Sequence, residues 1–203
     1  MTVEANKKLL MRRVDLANSE TDKDTLIKEA CSDREAFARL YWMHYERVFR
    51  YCSRRLFNRH AAEDVTSTVF FRVMRTISTF EGNSIDFRNW LYRIATNAVN
   101  DYLKTAKKRA ETIRNAAQEH GHRRTFAAES DNELQNKILN IKQALPGLKP
   151  KYQTVITLRF FEKMKLIEIA EILGQNPATI RSQLARALIK LQKELRTASR
   201  LKP

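Results

Sequence analysis

Between Leu166 and Leu195 the chain reads LIEIAEILGQNPATIRSQLARALIKLQKEL, and its local signals prescribe helix, tight turn and helix in that order. Ile167, Ala170, Ile172 and Leu173 stand at the spacing of one buried helical face. Gly174 falls where a left-handed residue ends a helix at least cost. Asn176 is placed to cap the next helix, and Pro177 fits its first turn, where no backbone N–H is needed. Ile180, Leu184, Ala187, Leu191 and Leu195 then face inward along a second helix, and small Ala170 lets it cross the first closely. Thr179, Arg181, Ser182, Gln183 and Arg186 are left outward at its start. A helix entering the major groove by its N-terminal end meets DNA with such groups: Arg suits guanine or phosphate, Gln suits adenine, and Thr and Ser suit base or phosphate. An ordinary helical hairpin with a solvated polar face is the competing reading. The ordered coincidence of turn, cap and basic face favours DNA.

The rest of the chain points to more helix. Four glycines and four prolines among 203 residues leave little room for a turn-rich sandwich or barrel, so the expected class is all-α. Ser32-Asp33-Arg34-Glu35 has the form of a capping box with Ser32 as the cap. Phe37, Leu40, Tyr41, Val48, Tyr51 and Cys52 follow as its helix's apolar face. Val65, Val69, Val73 and Ile77, widened by Phe70 and Met74, mark a second helix ending before the turn-forming Glu81-Gly82-Asn83-Ser84. A third is expected from about Phe87 to Arg109, with Phe87, Leu91, Ile94, Ala98 and Tyr102 inward and Trp90 and Val99 beside them. Periodicity fades over residues 110–130, which read as a linker. It returns with Leu134, Ile138, Ile141 and Leu145, breaks at Pro146-Gly147 and Pro150, and resumes with Tyr152, Val155, Ile156 and Phe160. Two small helical domains are therefore expected, residues 32–109 and 131–200, after an N-terminal extension of residues 1–31.

Charge is divided along these same lines. Lys and Arg number 15 against 8 Asp and Glu in residues 32–110 and 14 against 6 in residues 131–203, whereas residues 1–31 carry 6 of each sign and residues 111–130 carry 3 of each. The net charge of +15 thus comes from two blocks, as expected of two surfaces for one polyanion. Cys31 and Cys52 form no disulfide framework or Cys-x-x-Cys pair, so a reducing cytoplasm is the expected location. No stretch approaches the roughly 20 apolar residues of a membrane span, and the N-terminus has no secretory apolar core. His44, His60, His120 and His122 make no metal set, and no Gly-rich phosphate loop or flanked nucleophile is present. Neither cofactor, metal nor enzymatic activity is therefore expected. Tyr41, Trp42 and Tyr45 read as packing residues, whereas Trp90, among basic neighbours, is a candidate for stacking on a base.

These residues resemble the extracytoplasmic-function sigma factors, small two-domain members of the sigma-70 family. The C-terminal block ALPGLKPKYQTVITLRFFEKMKLIEIAEILGQNPATIRSQLARALIKL is similar to the family's region four. Ala62-Glu63-Asp64-Val65 and FRNWLYRIATNAVNDYL resemble region two. The resemblance implies a factor that directs core RNA polymerase to specific promoters: region two docks on the polymerase and opens the minus-ten element, and region four reads the minus-thirty-five element as duplex. It places Asp64, Arg72 and Arg75 at the polymerase contact and Asn97 at the minus-ten element. The loop from Phe80 to Asp86, with Asn83 and Ser84, falls where a flipped-out base is held, and Arg88, Trp90, Arg93 and Lys104 fall near the separated strand. It also implies an anti-sigma factor as partner. Three features depart from the family pattern. Ser67-Thr68 stand where Gln and an acidic residue are usual, the Phe80 to Trp90 loop is one residue longer, and Gln183 stands where Arg is common. A stand-alone regulator binding an operator as a dimer is the alternative; a recombinase would need a nucleophile and an arginine cluster that the sequence does not offer.

Overall fold

The computed structural model describes residues 20–116, 141 and 144–200, all-α with no strand among the described residues. The chain divides into two compact units, residues 1–100 and 101–203.

The first unit opens with α1, Glu20–Ala30, inside the segment expected to be only an extension. Leu26, Ile27 and Ala30 are its buried side, and Glu29 pairs with Arg39 at 3.0 Å. Helix α2 spans Arg34–Leu56, and its cap is Asp33 rather than the expected Ser32. The Asp33 carboxylate accepts from the backbone of Glu35 at 3.3 Å and Ala36 at 2.8 Å. The reason is local: the backbone N–H of Ser32 is already spent on the Glu29 carbonyl, closing α1, and the helix starts one residue too late for Ser32 to cap. Helix α2 ends at Phe57 in the left-handed region (φ 52°), and Asn58 caps α3, Arg59–Thr76, through Ala61 at 3.0 Å. Val65, Val69, Phe70 and Val73 are buried as expected, whereas Met74 is 52% exposed. Tyr41, Trp42 and Tyr45 join Phe49 and Phe70 in a ring cluster between α2 and α3, with Tyr41 and Phe70 centroids 4.5 Å apart.

After a single 3₁₀ turn, Ile77–Thr79, α4 runs Ser84–Ala116, starting before Phe87 and continuing past Arg109 into the segment expected to be linker. Asn83 starts it early: its side chain accepts from Ile85 at 2.8 Å and Asp86 at 3.1 Å, and Asp86 accepts from the Asn83 backbone at 3.1 Å. Phe87, Leu91, Ala95, Ala98 and Val99 are buried, and the Tyr51 hydroxyl shares a 2.7 Å hydrogen bond with Thr96, joining α2 to α4 inside the core. Tyr102, expected inward, is 40% exposed, on a stretch of α4, residues 101–112, where Leu103 alone is half-buried.

In the second unit Pro146-Gly147 forms a 3₁₀ turn, Leu145–Gly147, and Pro150 opens α5, Pro150–Ile156. Leu134 and Ile138 lie outside the described residues. Tyr152, Val155 and Ile156 are buried, but Phe160 is 53% exposed. The chain widens into a π turn over Thr157–Phe161; Leu158 and Met164 are buried instead. Helices α6, Leu166–Leu173, and α7, Pro177–Arg200, flank Gly174, whose φ of 61° is the left-handed stop its position requires. The Gln175 N–H closes on the Ala170 carbonyl at 2.9 Å. Ile169 takes the buried place expected of Ile167, which is 57% exposed; Ala170, Ile172, Ile180 and Ala187 are buried.

Candidate nucleic-acid interface

In the first unit the end of α3, the turn after it and the middle of α4 enclose an open cleft of about 870 Å³. Arg72, Arg75, Thr76 and Thr79 form one wall, Phe80 and Glu81 the end, and Trp90, Ile94 and Asn97 the other. Its aromatic end is built, not incidental. The Phe80 ring lies 5.1 Å from Trp90 at 38° and 5.5 Å from Phe87 edge-on, while Phe87 itself is buried. Trp90, Arg93, Asn97 and Lys104 fall three, four and seven residues apart, which puts them on one stripe of α4. Arg93, Asn97 and Lys104 are exposed, and Arg88 and Trp90 are half-buried.

The sequence-expected residues distribute unevenly over this surface. Asn83 spends its side-chain oxygen capping α4, and the Ser84 N–H is held by Asp24 of α1 at 2.6 Å. Arg72 and Arg75 share the cleft with Asn97 and Trp90, whereas Asp64 does not line it. Asp64 stands on another stretch of α3 beside exposed Ser67 and Thr68; Phe71 (55% exposed) and Met74 lie further along the helix. The sequence reading missed Thr76, Thr79, Phe80 and Glu81 as individual contributors. Phe80 had a signal: it is an aromatic at the edge of a turn cluster in a basic block.

In the second unit Asn176 caps α7 by accepting from Ala178 at 2.8 Å, which fixes the helix end that carries the outward residues. Thr179, Arg181, Ser182 and Arg186 are exposed. Gln183 is half-buried: it follows Ile180 by three residues, on the flank of the buried line, and its Nε2 donates to Gln175 Oε1 in the turn at 2.7 Å. Among the histidines, His44 packs on Phe87 with ring centroids 5.4 Å apart. Burial, with Arg47 and Lys23 nearby, pushes its pKa down to about 4. His60 is exposed, 3.8 Å from Glu63, and His120 and His122 lie outside the described residues.

Both surfaces fall inside stretches that match known families. Residues 40–109 match Sigma-70 region 2 and residues 138–191 match Sigma-70, region 4. The ECF RNA polymerase sigma factor SigW of Bacillus subtilis is 32% identical over 171 residues, 81% of this chain and 91% of that protein. This chain is an extracytoplasmic-function sigma factor of the sigma-70 family. The ECF RNA polymerase sigma factor BldN of Streptomyces coelicolor is 33% identical over 177 residues; the match takes in 84% of this chain but 62% of that longer protein. The fold is shared with the sigma factor RpoE of Bartonella quintana, solved in complex with the anti-sigma factor NepR, at a TM-score of 0.59 and 20% identity over 79% of this chain and 96% of that one. In this sigma factor the cleft falls within region two, and the Gly174 turn with the exposed start of α7 falls within region four. Helix α1 precedes both matched ranges. No helix among the described residues is long and apolar enough to cross a membrane.

Proposed function

We propose that this sigma factor holds the separated strand of the minus-ten element in the region-two cleft while the start of α7 reads the minus-thirty-five element as duplex. One observation carries the reading: two arginines, an aromatic pair and an exposed asparagine line a single open cleft. An unpaired strand needs these three chemistries together, cations for phosphate, rings for stacking and an amide for a base edge. Asn97 reads a base, Phe80 and Trp90 supply the stacking surface, and Arg72 and Arg75 act on the phosphates from the cleft wall. Arg88, Arg93 and Lys104 continue the basic track, and Asn83 and Ser84 shape the loop. Arg72 and Arg75, expected from the resemblance at the polymerase contact, are thereby moved to the strand because they line the cleft, and the polymerase contact centres on Asp64 with the exposed apolar Phe71 and Met74 of α3.

In region four, Thr179, Arg181, Ser182 and Arg186 meet the duplex, and Gln183 braces the helix against its turn. Residues 32–109 form the first working domain and residues 131–200 the second, with 110–130 between them. Core RNA polymerase and promoter DNA are the partners. An anti-sigma factor is a third, by likeness to the RpoE and NepR complex. The protein acts in the cytoplasm, without metal, cofactor or chemistry of its own, and no observation favours the operator-binding dimer. The test mixes purified protein with core polymerase and a promoter library and measures run-off transcripts. Promoter-dependent transcripts are expected; tight DNA binding by the protein alone, with none from any template, contradicts the reading.

A further inference from the structure

Helix α1 lies outside both family matches, yet it holds the turn that closes the region-two cleft at both ends. At one end the Cys31 thiol, just past α1, shares its single S–H between the Ile77 carbonyl at 3.2 Å and the Ile27 carbonyl of α1 at 3.4 Å. At the other, Asp24 Oδ1 accepts from the Ser84 backbone N–H at 2.6 Å, in a half-buried contact bridging sixty residues of sequence. Between these anchors lie Thr79, Phe80 and Glu81, all three lining the cleft. The loop has little other freedom. Gly82 sits at φ 145°, and the Asn83 and Asp86 side chains are bound reciprocally to the start of α4. Leu26, Ile27 and Ala30 fix α1 in the core, so Asp24 is presented from a packed element.

We propose that Asp24 is a positioning residue for strand recognition, setting through Ser84 where the loop presents Phe80 to the base held in the cleft. A carboxylate is suited to this because a charge-assisted hydrogen bond to a backbone N–H is short and stronger than a neutral one. Asp24 touches no DNA in this arrangement; it narrows the loop to one geometry, and preference at the minus-ten element follows from that geometry. The proposal rests on the sigma reading of the cleft and adds α1 to it as a working part.

The experiment transcribes a promoter library, randomised through both elements, with core polymerase and the full chain carrying Asp24→Ala, Asp24→Lys or Asp24→Asn. Ala and Lys offer no acceptor, and each is expected to lose about tenfold of the discrimination at one or two minus-ten positions. Minus-thirty-five preference, read from the same transcripts, stays at the unmodified level and serves as the control for folding. Asn keeps an oxygen at the same place and restores the preference. An unmodified minus-ten profile for Asp24→Ala and Asp24→Lys overturns the proposal, as does an Asp24→Asn profile as impaired as that of Ala. Absence of transcripts from the unmodified chain overturns the sigma reading itself, a distinct result.

Discussion

Two glycines in left-handed backbone separate steric from conformational demand. A Cβ at Gly82 would stand 2.8 Å from Asp86 Cβ and 3.1 Å from Phe80 Cζ, whereas at Gly174 it would meet nothing within 4 Å. Gly174→Ala therefore costs only the left-handed penalty, about 1 kcal/mol. Gly82→Ala adds a clash with Asp86 Cβ and a tight contact with the ring that closes the cleft, for a total on the order of 2 to 3 kcal/mol. Urea titration of both variants checks the order, and only Gly82→Ala should also alter minus-ten preference. His44 gives a pH signature. Its folded pKa of about 4 lies below the ordinary 6.5, so the fold favours the neutral ring. The contribution is complete above about pH 6.5 and is lost as pH falls toward 4, because the unfolded chain then binds the extra proton. A loss on the order of 2 to 3 kcal/mol over that window is expected, and His44→Leu should flatten it in denaturation midpoints measured against pH. Trp90 stood out in the sequence through its basic neighbours and Asn97 only through the family resemblance; that both line one cleft is seen in the structure alone. Asp24 did not stand out, since nothing in one strand of sequence pairs it with an N–H sixty residues away.

At the scale of elements, the α6 and α7 pair was readable because each boundary has its own chemistry: Gly174 as stop, Asn176 as cap, Pro177 in the first turn. Asn176→Ala should cost about 1 kcal/mol, visible as a lowered denaturation midpoint. Arg181→Ala separates two roles for the exposed face of α7. Loss of a guanine contact costs about 1 to 3 kcal/mol and relaxes preference at one minus-thirty-five position, whereas loss of a phosphate contact weakens all sequences alike and lowers the salt slope by about one unit. Binding titrations across salt concentrations distinguish them. Helix α1 escaped sequence reading because only Leu26, Ile27 and Ala30 bury, too few for a repeating stripe. The π turn escaped it too, since a local widening of the helix has no residue signature and is seen only in the outward Phe160 and inward Met164.

At the scale of the whole molecule, the chain forms two compact units that divide at Asn100, ten residues before the end of the first basic block, so Lys104, Lys107, Lys108 and Arg109 fall past the division. The two proposed DNA surfaces contribute independently unless they share contacts, so their mutational effects should add. The most direct test is library transcription by polymerase loaded with the unmodified chain, Asn97→Ala, Arg186→Ala and the double variant. Asn97→Ala should impair only minus-ten selectivity and Arg186→Ala only minus-thirty-five selectivity, with the double variant equal to their combination within about 0.5 kcal/mol. Minus-ten selectivity left unchanged by Asn97→Ala would contradict the account, because the cleft would then not be where the separated strand is read.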